Sequence, residues 1–505
     1  MSPPHRTGLN LAIVSVASLV QIANQFLFLK LNAYLFGVTD ATDSLFYALT
    51  LASAVAAMLS GAISYVLIPD LVAKFEQGED RSGWGLATFA ALVTLSISGV
   101  TSAMTAWYAL PVCRLLHAEA YPGQYVQEAG FLQVLCIQIV LLGMISWAQA
   151  VLHSRHQFFW AASGGVVGTA LQLLLLLAIG GQDVGAIAWA IVFGSAISLA
   201  LHLIPIVRHL RLPIVDAANL WRLFGATWPL LLGSLFQRVE PLFSQTWAST
   251  LDEGTRSHLH YSTRILTALL TLGTSSLSLV AFPQLAGRFA NEGPEGFGDH
   301  FSLCARRMAL IIVPILIGVS VFAPWIVGDL LADGQYSEED AATLAQLVVL
   351  MMGLFLGASI AEIVSRGFYV LGDTRTPTVI GVICLALCLV IRYYLFRWGG
   401  VEGLAIGISI YFVVTAAVLT FALRRRINVP ILSGLTSPLI QSVIAATVAC
   451  LVCYLVYRFG LGTWAAGPVG VLVYSIGLLC MKNEDALRAY RAAVLRVGLL
   501  TRRAG

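Results

Sequence analysis

Pro69-Asp70-Leu71-Val72-Ala73-Lys74-Phe75 and Pro283-Gln284-Leu285-Ala286-Gly287-Arg288-Phe289 are one signature, P-x-L-x-x-[KR]-F, written twice. The copies stand about 214 residues apart, each closes a long apolar segment, and each follows a tyrosine, Tyr47 or Tyr261, at the same distance. A repeat carried on apolar segments predicts a membrane transporter built from two related halves.

The composition agrees. The 505 residues are 58% hydrophobic and 11% charged, with a mean hydropathy of +0.84. Soluble proteins carry about 25% charged residues, so this chain must use lipid as its solvent. A formal net charge of +3 offers no basic surface for nucleic acid. The first apolar run, Leu9 to Phe36, exceeds the ~7–15-residue core of a cleaved signal and reads as the first membrane segment.

About fourteen segments of membrane-spanning length follow one another, from 9–36 to 463–481. Polar turns such as Gly372-Asp373-Thr374-Arg375-Thr376-Pro377 separate them. With the N-terminus cytoplasmic, the inner loops and termini carry about twenty basic residues, an excess of about five to one over the outer side. The outer loops hold Arg114, Arg256, Arg397 and Arg458. Both termini are therefore expected in the cytoplasm. Both signature copies fall on the inner face, which makes the repeats parallel.

The expected fold is an all-α polytopic membrane protein with about 14 transmembrane helices, two parallel six-helix repeats plus two C-terminal helices. Residues 1–207 form an N-lobe, 208–225 a cytoplasmic linker, 226–423 a C-lobe, 424–481 the added helices, and 482–505 a basic tail. The tail either lies on the anionic inner leaflet or is simply solvated.

Ionisable side chains inside a membrane are costly and mark function by default. Arg238 and Glu240 fall near the middle of segment 226–250, out of reach of either surface. Two positions apart, they point about 200° from each other on a helix. Each needs another partner, in a functional cavity or a structural inter-helix ion pair. Pro241 cannot donate to the Gln237 carbonyl, which predicts a kink beside them. Arg264 and Lys30 are either substrate-binding cations or snorkelling ones. Asp43 is either a cavity charge or a helix N-terminal acid favoured by the dipole. Glu362 and Arg366, four apart, suit an ion pair, with coupling or gating as the alternative. Arg392 is expected to anchor at the interface.

Other patterns carry less chemistry. Gly164-x-x-x-Gly168 and Gly403-x-x-x-Gly407 permit close helix packing. Cys450-x-x-Cys453 reads as inert thiols within an apolar helix. His153 and His156 have no acidic or cysteine cluster beside them, so no metal is expected, and no motif calls for a cofactor. The longest outer loop, about Pro111 to Gly130, offers Arg114, His117, Glu119 and Glu128, too little for a membrane glycosyltransferase or polymerase. A transporter is expected rather than an enzyme.

The stretch Leu35-Phe36-Gly37 … Ala41-Thr42-Asp43-Ser44-Leu45-Phe46, then Ile68-Pro69-Asp70-Leu71, resembles the MurJ/MviN family of lipid II flippases. So do Tyr261-Ser262-Thr263-Arg264 with Phe282-Pro283-Gln284-Leu285, and Gly367-Phe368-Tyr369 with Asp373-Thr374-Arg375-Thr376-Pro377. The matches run in order over nearly the whole chain. The resemblance implies the multidrug/oligosaccharidyl-lipid/polysaccharide exporter fold, with two lobes opening alternately to each side of a bacterial cytoplasmic membrane. It implies a polyprenyl-pyrophosphate-linked saccharide as cargo, hence a role in peptidoglycan or polysaccharide biosynthesis. Membrane lipids, and a coupling ion or the membrane potential, are the further partners it implies.

Of the family's cavity charges, Asp43 and Arg264 carry over, while Ile22, Phe28 and Val55-Ala56 stand near the positions of family arginines. Either Arg238 and Lys30 supply a rearranged headgroup site, or the cargo is another lipid-linked glycan such as an exopolysaccharide unit. Substrate binding is thus expected at Arg264, Arg238, Lys30 and Asp43, and coupling or gating at Glu240, Pro241, Glu362 and Arg366. The alternative is an ion-coupled small-molecule exporter, for which Glu240 and Glu362 would serve. The repeat partner of Arg264 is Thr50, so the basic site belongs mainly to the second half.

Overall fold

The computed structural model describes residues 4–116, 122–180, 183–212, 240–459 and 462–487. Among them every regular element is helical, as an all-α polytopic membrane protein requires. The first stretch holds α1 (Pro4–Phe36), α2 (Asp40–Glu76), α3 (Asp80–Trp107) and α4 (Ala109–Leu116). Then come α5 (Pro122–Leu135), α6 (Ile137–Ser154), α7 (Phe158–Ile179), α8 (Gly185–Val207) and α9 (240–248). After α10 (Thr255–Leu270), a π-helical turn, Thr271–Ser275, leads into α11 (Ser276–Leu331). The chain continues through α12 (Glu338–Leu350), α13 (Met352–Val370), α14 (Arg375–Ile427), α15 (Thr436–Arg458) and α16 (Gly462–Cys480).

Among the described residues 9 helices are long and apolar enough to cross a membrane by length and composition. Two of these, Gln284–Leu331 and Arg375–Ile427, run 48 and 53 residues, longer than one crossing needs. Each is interrupted by a glycine with a positive φ, Gly293 at 68° and Gly400 at 54°. L-side chains rarely adopt that backbone, so glycine supplies the break that the sequence pattern calls for.

The chain divides into two compact units, Met1–Tyr261 with Leu331–Asp340, and Ser262–Leu330 with Ala341–Gly505. In the first, Leu67, Leu71, Trp84, Trp147, Leu152 and Ile206 form a buried cluster. The Trp147 indole donates to the Ala87 carbonyl at 2.9 Å, so its polar edge is satisfied there. Leu71 belongs to the first copy of the repeated signature, and its counterpart Leu285 is also fully buried. The leucine of P-x-L is thus a packing residue in both copies. The basic position stays local: Lys74 donates to Ser82 at 2.7 Å, and Arg288 pairs with Glu292 one turn on.

Gly164 and Gly168 set α7 against α8. A Cβ at Gly164 would lie 2.1 Å from the buried His202 ring, and one at Gly168 2.8 Å from the Gly194 carbonyl. The His202 ring bridges the helices, with Nε2 3.0 Å from the Ala161 carbonyl. Gly164→Ala must push that ring off its partners, an overpacking that costs ~1–3 kcal/mol. A lowered thermal midpoint in detergent is the expected result; an unchanged one would contradict this packing.

In the second unit, Arg392 corrects the expectation of an interfacial anchor. It is fully buried, with its guanidinium 5.9 Å from the centre of the Tyr411 ring. The reversal at Gly400 brings the later part of α14 back over the earlier part, and Gly407 leaves room for the arginine stem. Glu362 and Arg366 do form an ion pair, at 2.9 Å on α13. Cys450 and Cys453 are free thiols, and Cys453 donates to the Ala466 carbonyl. Asp373 opens the α14 turn by accepting from the Thr376 amide and hydroxyl, which hold its carboxyl below the usual carboxylate range. The expected tail helix lies outside the described residues beyond 487.

Candidate functional site

Two helices begin side by side in the first unit. The N-terminus of α2 carries a capping box in which Thr39 and Thr42 satisfy each other's amides. Its next free amide, Asp40, donates to the Glu253 carboxylate at 2.9 Å. Glu253 stands two positions before α10. In return, Asp43 from the first turn of α2 caps α10: its carboxylate accepts from the Gly254 amide at 2.9 Å and the Ser257 amide at 2.8 Å. The Ser257 hydroxyl also donates to it. The two helix starts thus exchange carboxylates, each anion meeting the positive end of the other helix.

Asp43 therefore does not serve its own helix, as the plain reading of a helix N-terminal acid supposed. It is 3% exposed and serves α10. Gly254 is required at this approach: its φ is +85°, and a Cβ there would lie 2.3 Å from Val38.

Asp43 and Ser257 are 214 positions apart, the interval of the sequence repeat. Phe46 and His260, separated by the same interval, stack with ring centres 4.3 Å apart and planes 8° from parallel. The clasp therefore joins equivalent positions of the two sequence copies, and it is asymmetric, with an acid from one copy and a hydroxyl and amides from the other.

Behind the clasp lies a buried ion pair. Arg256 Nη1 donates to Glu128 Oε1 of α5 at 2.5 Å, with exposures of 1% and 0%. The guanidinium also lies 5.5 Å from the centre of the Tyr47 ring, and its Nε is 4.0 Å from the Asp43 carboxylate. Sequence reading assigned Arg256 and Glu128 to outer loops. Only the fold joins them, since they stand 128 positions apart.

The other expected residues are distributed as follows. Lys30 pairs with Asp333 at 3.4 Å, half exposed, in the turn that follows α11. That turn is fixed to the end of α1 by the Gln335 amide donating to the Tyr34 carbonyl at 3.0 Å. Glu240 is buried on α9, where the Ser244 hydroxyl donates to it at 3.3 Å, and Pro241 follows in the same helix. Arg238, and with it the expected kink between Gln237 and Pro241, lies outside the described residues. Arg264 is solvent-exposed on α10, within an apolar stretch. Asp43 and Arg264 thus share the helix that Asp43 caps.

Three comparisons bear on this architecture. The family model for the lipid II flippase MurJ matches residues 32–474. A Vibrio cholerae relative described as "Probable lipid II flippase MurJ" is 25% identical over 198 residues, covering 39% of this chain and 37% of that one. The aligned region thus spans little more than a third of that relative's length. A Haemophilus influenzae relative of the same description is 24% identical over 385 residues, covering 70% and 74%. Among solved structures, a lipid II flippase MurJ in an inward closed conformation matches with a TM-score of 0.78 and 15% identity, over 94% of this chain and 99% of that one. At that identity the likeness speaks for the fold. With the family model matched over most of the described helices, the chain belongs to the lipid II flippase MurJ family.

Proposed function

We propose that this protein is an alternating-access flippase that moves a polyprenyl-pyrophosphate-linked saccharide across the bacterial cytoplasmic membrane, with both termini in the cytoplasm. One observation carries this reading beyond family membership. On the single helix α10, Asp43 caps the first turn, and a cation, Arg264, stands seven residues on within an apolar stretch. Seven residues of helix span about 10 Å. A cation in an apolar segment is what a diphosphate headgroup needs, because a guanidinium pairs with phosphate oxygens in a fork.

In this mechanism the headgroup enters from the cytoplasm and meets Arg264. The lobes at 1–207 and 226–423 then rock, and the clasp between α2 and α10 opens to release the cargo outward. Glu240, Pro241 and the Glu362–Arg366 pair are the candidates for coupling that movement to an ion or to the membrane potential.

Arg264→Ala is expected to abolish flipping while membrane levels stay normal, read by the outward appearance of the lipid-linked saccharide in intact cells. Unimpaired flipping in that variant would sink the assignment. Complementation of a strain depleted of its lipid II flippase identifies the cargo. Rescue names lipid II, whereas failure with good expression points to another lipid-linked glycan.

A further inference from the structure

We propose that the first turn of α10, together with Arg256, is a second diphosphate-binding site, and that Asp43 occupies it as a built-in competitor. Identifying the diphosphate as that of the cargo rests on the function proposed above.

Three donors, the Gly254 amide, the Ser257 amide and the Ser257 hydroxyl, converge on one carboxylate. They stand at the N-terminus of a 16-residue helix, where backbone N–H groups and the helix dipole favour an anion. Arg256 supplies the second and independent observation. Its Nη1 is held by Glu128, but its Nε and Nη2 have no hydrogen-bond partner among the described residues, although the side chain is 1% exposed. Buried guanidinium N–H groups are normally satisfied. Here Nε lies 4.0 Å from the Asp43 carboxylate, beyond hydrogen-bond distance.

The fit of Asp43 is therefore incomplete. Its two oxygens meet the helix donors and leave the arginine edge unmet. A diphosphate carries more oxygens and more charge. It satisfies the same helix donors and also takes Nε and Nη2 in a fork.

Because Asp43 and the diphosphate compete for the same donors, arrival of the headgroup displaces the α2 carboxylate and separates α2 from α10. The cargo itself would then open the clasp. By linkage, removing the internal competitor must raise diphosphate affinity.

The test uses the purified full-length chain in detergent and isothermal titration with inorganic pyrophosphate, then with farnesyl diphosphate. Asp43→Ala should bind inorganic pyrophosphate at least about tenfold more tightly than the unaltered chain. Adding Arg256→Gln or Arg256→Lys should remove that gain, since neither keeps the charged fork. Should Asp43→Ala fail to purify folded, Asp43→Asn has the same size and carries the same expectation. No gain on removing the Asp43 charge, or a gain that survives both Arg256 substitutions, overturns the proposal. Tighter binding of farnesyl diphosphate assigns the site to a lipid headgroup, and equal binding of the two probes assigns it to the free anion. The flipping assay with Arg264→Ala is independent of this titration, so failure of the site and failure of the flippase reading are told apart.

Discussion

Replacing Asp43 with alanine is expected to open the clasp between α2 and α10 in nearly every molecule. The substitution removes the acceptor for the Gly254 amide, the Ser257 amide and the Ser257 hydroxyl at once. Hydrogen bonds to a charged group contribute ~1.5–3 kcal/mol each, and amides left buried without a partner cost about as much again. The contributions are not additive. A net loss of about 3 kcal/mol still shifts the ratio of closed to open forms by more than about 100-fold. Hydrogen–deuterium exchange reads this directly: peptides covering 254–262 should be protected in the unaltered chain and exchange at least about 100-fold faster in Asp43→Ala. Under the proposed function, flipping should fall with it, because the clasp must close again for the cycle to repeat. Unchanged protection of the α10 start would show that Asp43 does not hold it.

The second large effect is expected at Glu128. Glu128→Gln leaves the Arg256 guanidinium, at 1% exposure, with only the Asp43 carboxylate 4.0 Å from Nε as counter-charge. Breaking a buried ion pair from one side costs ~3–5 kcal/mol, because the remaining charge stays desolvated. Removing both members is far milder, so Glu128→Gln with Arg256→Met should recover most of the loss. Denaturant unfolding of the three variants in detergent checks the pattern. The half-exposed Lys30–Asp333 pair serves as the internal control. An exposed pair contributes ~0–1 kcal/mol, so Lys30→Ala should barely move the midpoint. Equal effects at Glu128 and Lys30 would contradict the burial of the Glu128–Arg256 pair.

Much of this architecture was legible in the sequence. The apolar segments announced the helices, and the four-residue spacing of Glu362 and Arg366 anticipated their ion pair, because that spacing is a local property of a helix. The glycine pairs at 164/168 and 403/407 likewise announced close packing. The carboxylate exchange was not legible in this way. Glu128 and Arg256 lie in segments of ordinary outer-loop composition, and burial is not written in local periodicity. Arg392 was misplaced for a related reason: its distance from the helix end suggested an interface, but the return of α14 at Gly400 covers it. One signal did exist. Asp43 and Ser257 are separated by the repeat interval, 214 positions.

The π-helical turn at Thr271–Ser275 has a bearing on how relatives are aligned. Such a turn holds one residue more than an α-helical turn, and each residue rotates the helix by about 100°. The extra residue sets the bearing of Arg264 against the second signature copy that follows. A relative lacking that single residue would present a cation at the position equivalent to Arg264 on a different face. To keep the same bearing it would need to carry the cation one position away. A one-residue gap at 271–275 is therefore where apparent loss of the α10 arginine in an alignment should first be re-read as a shift in register.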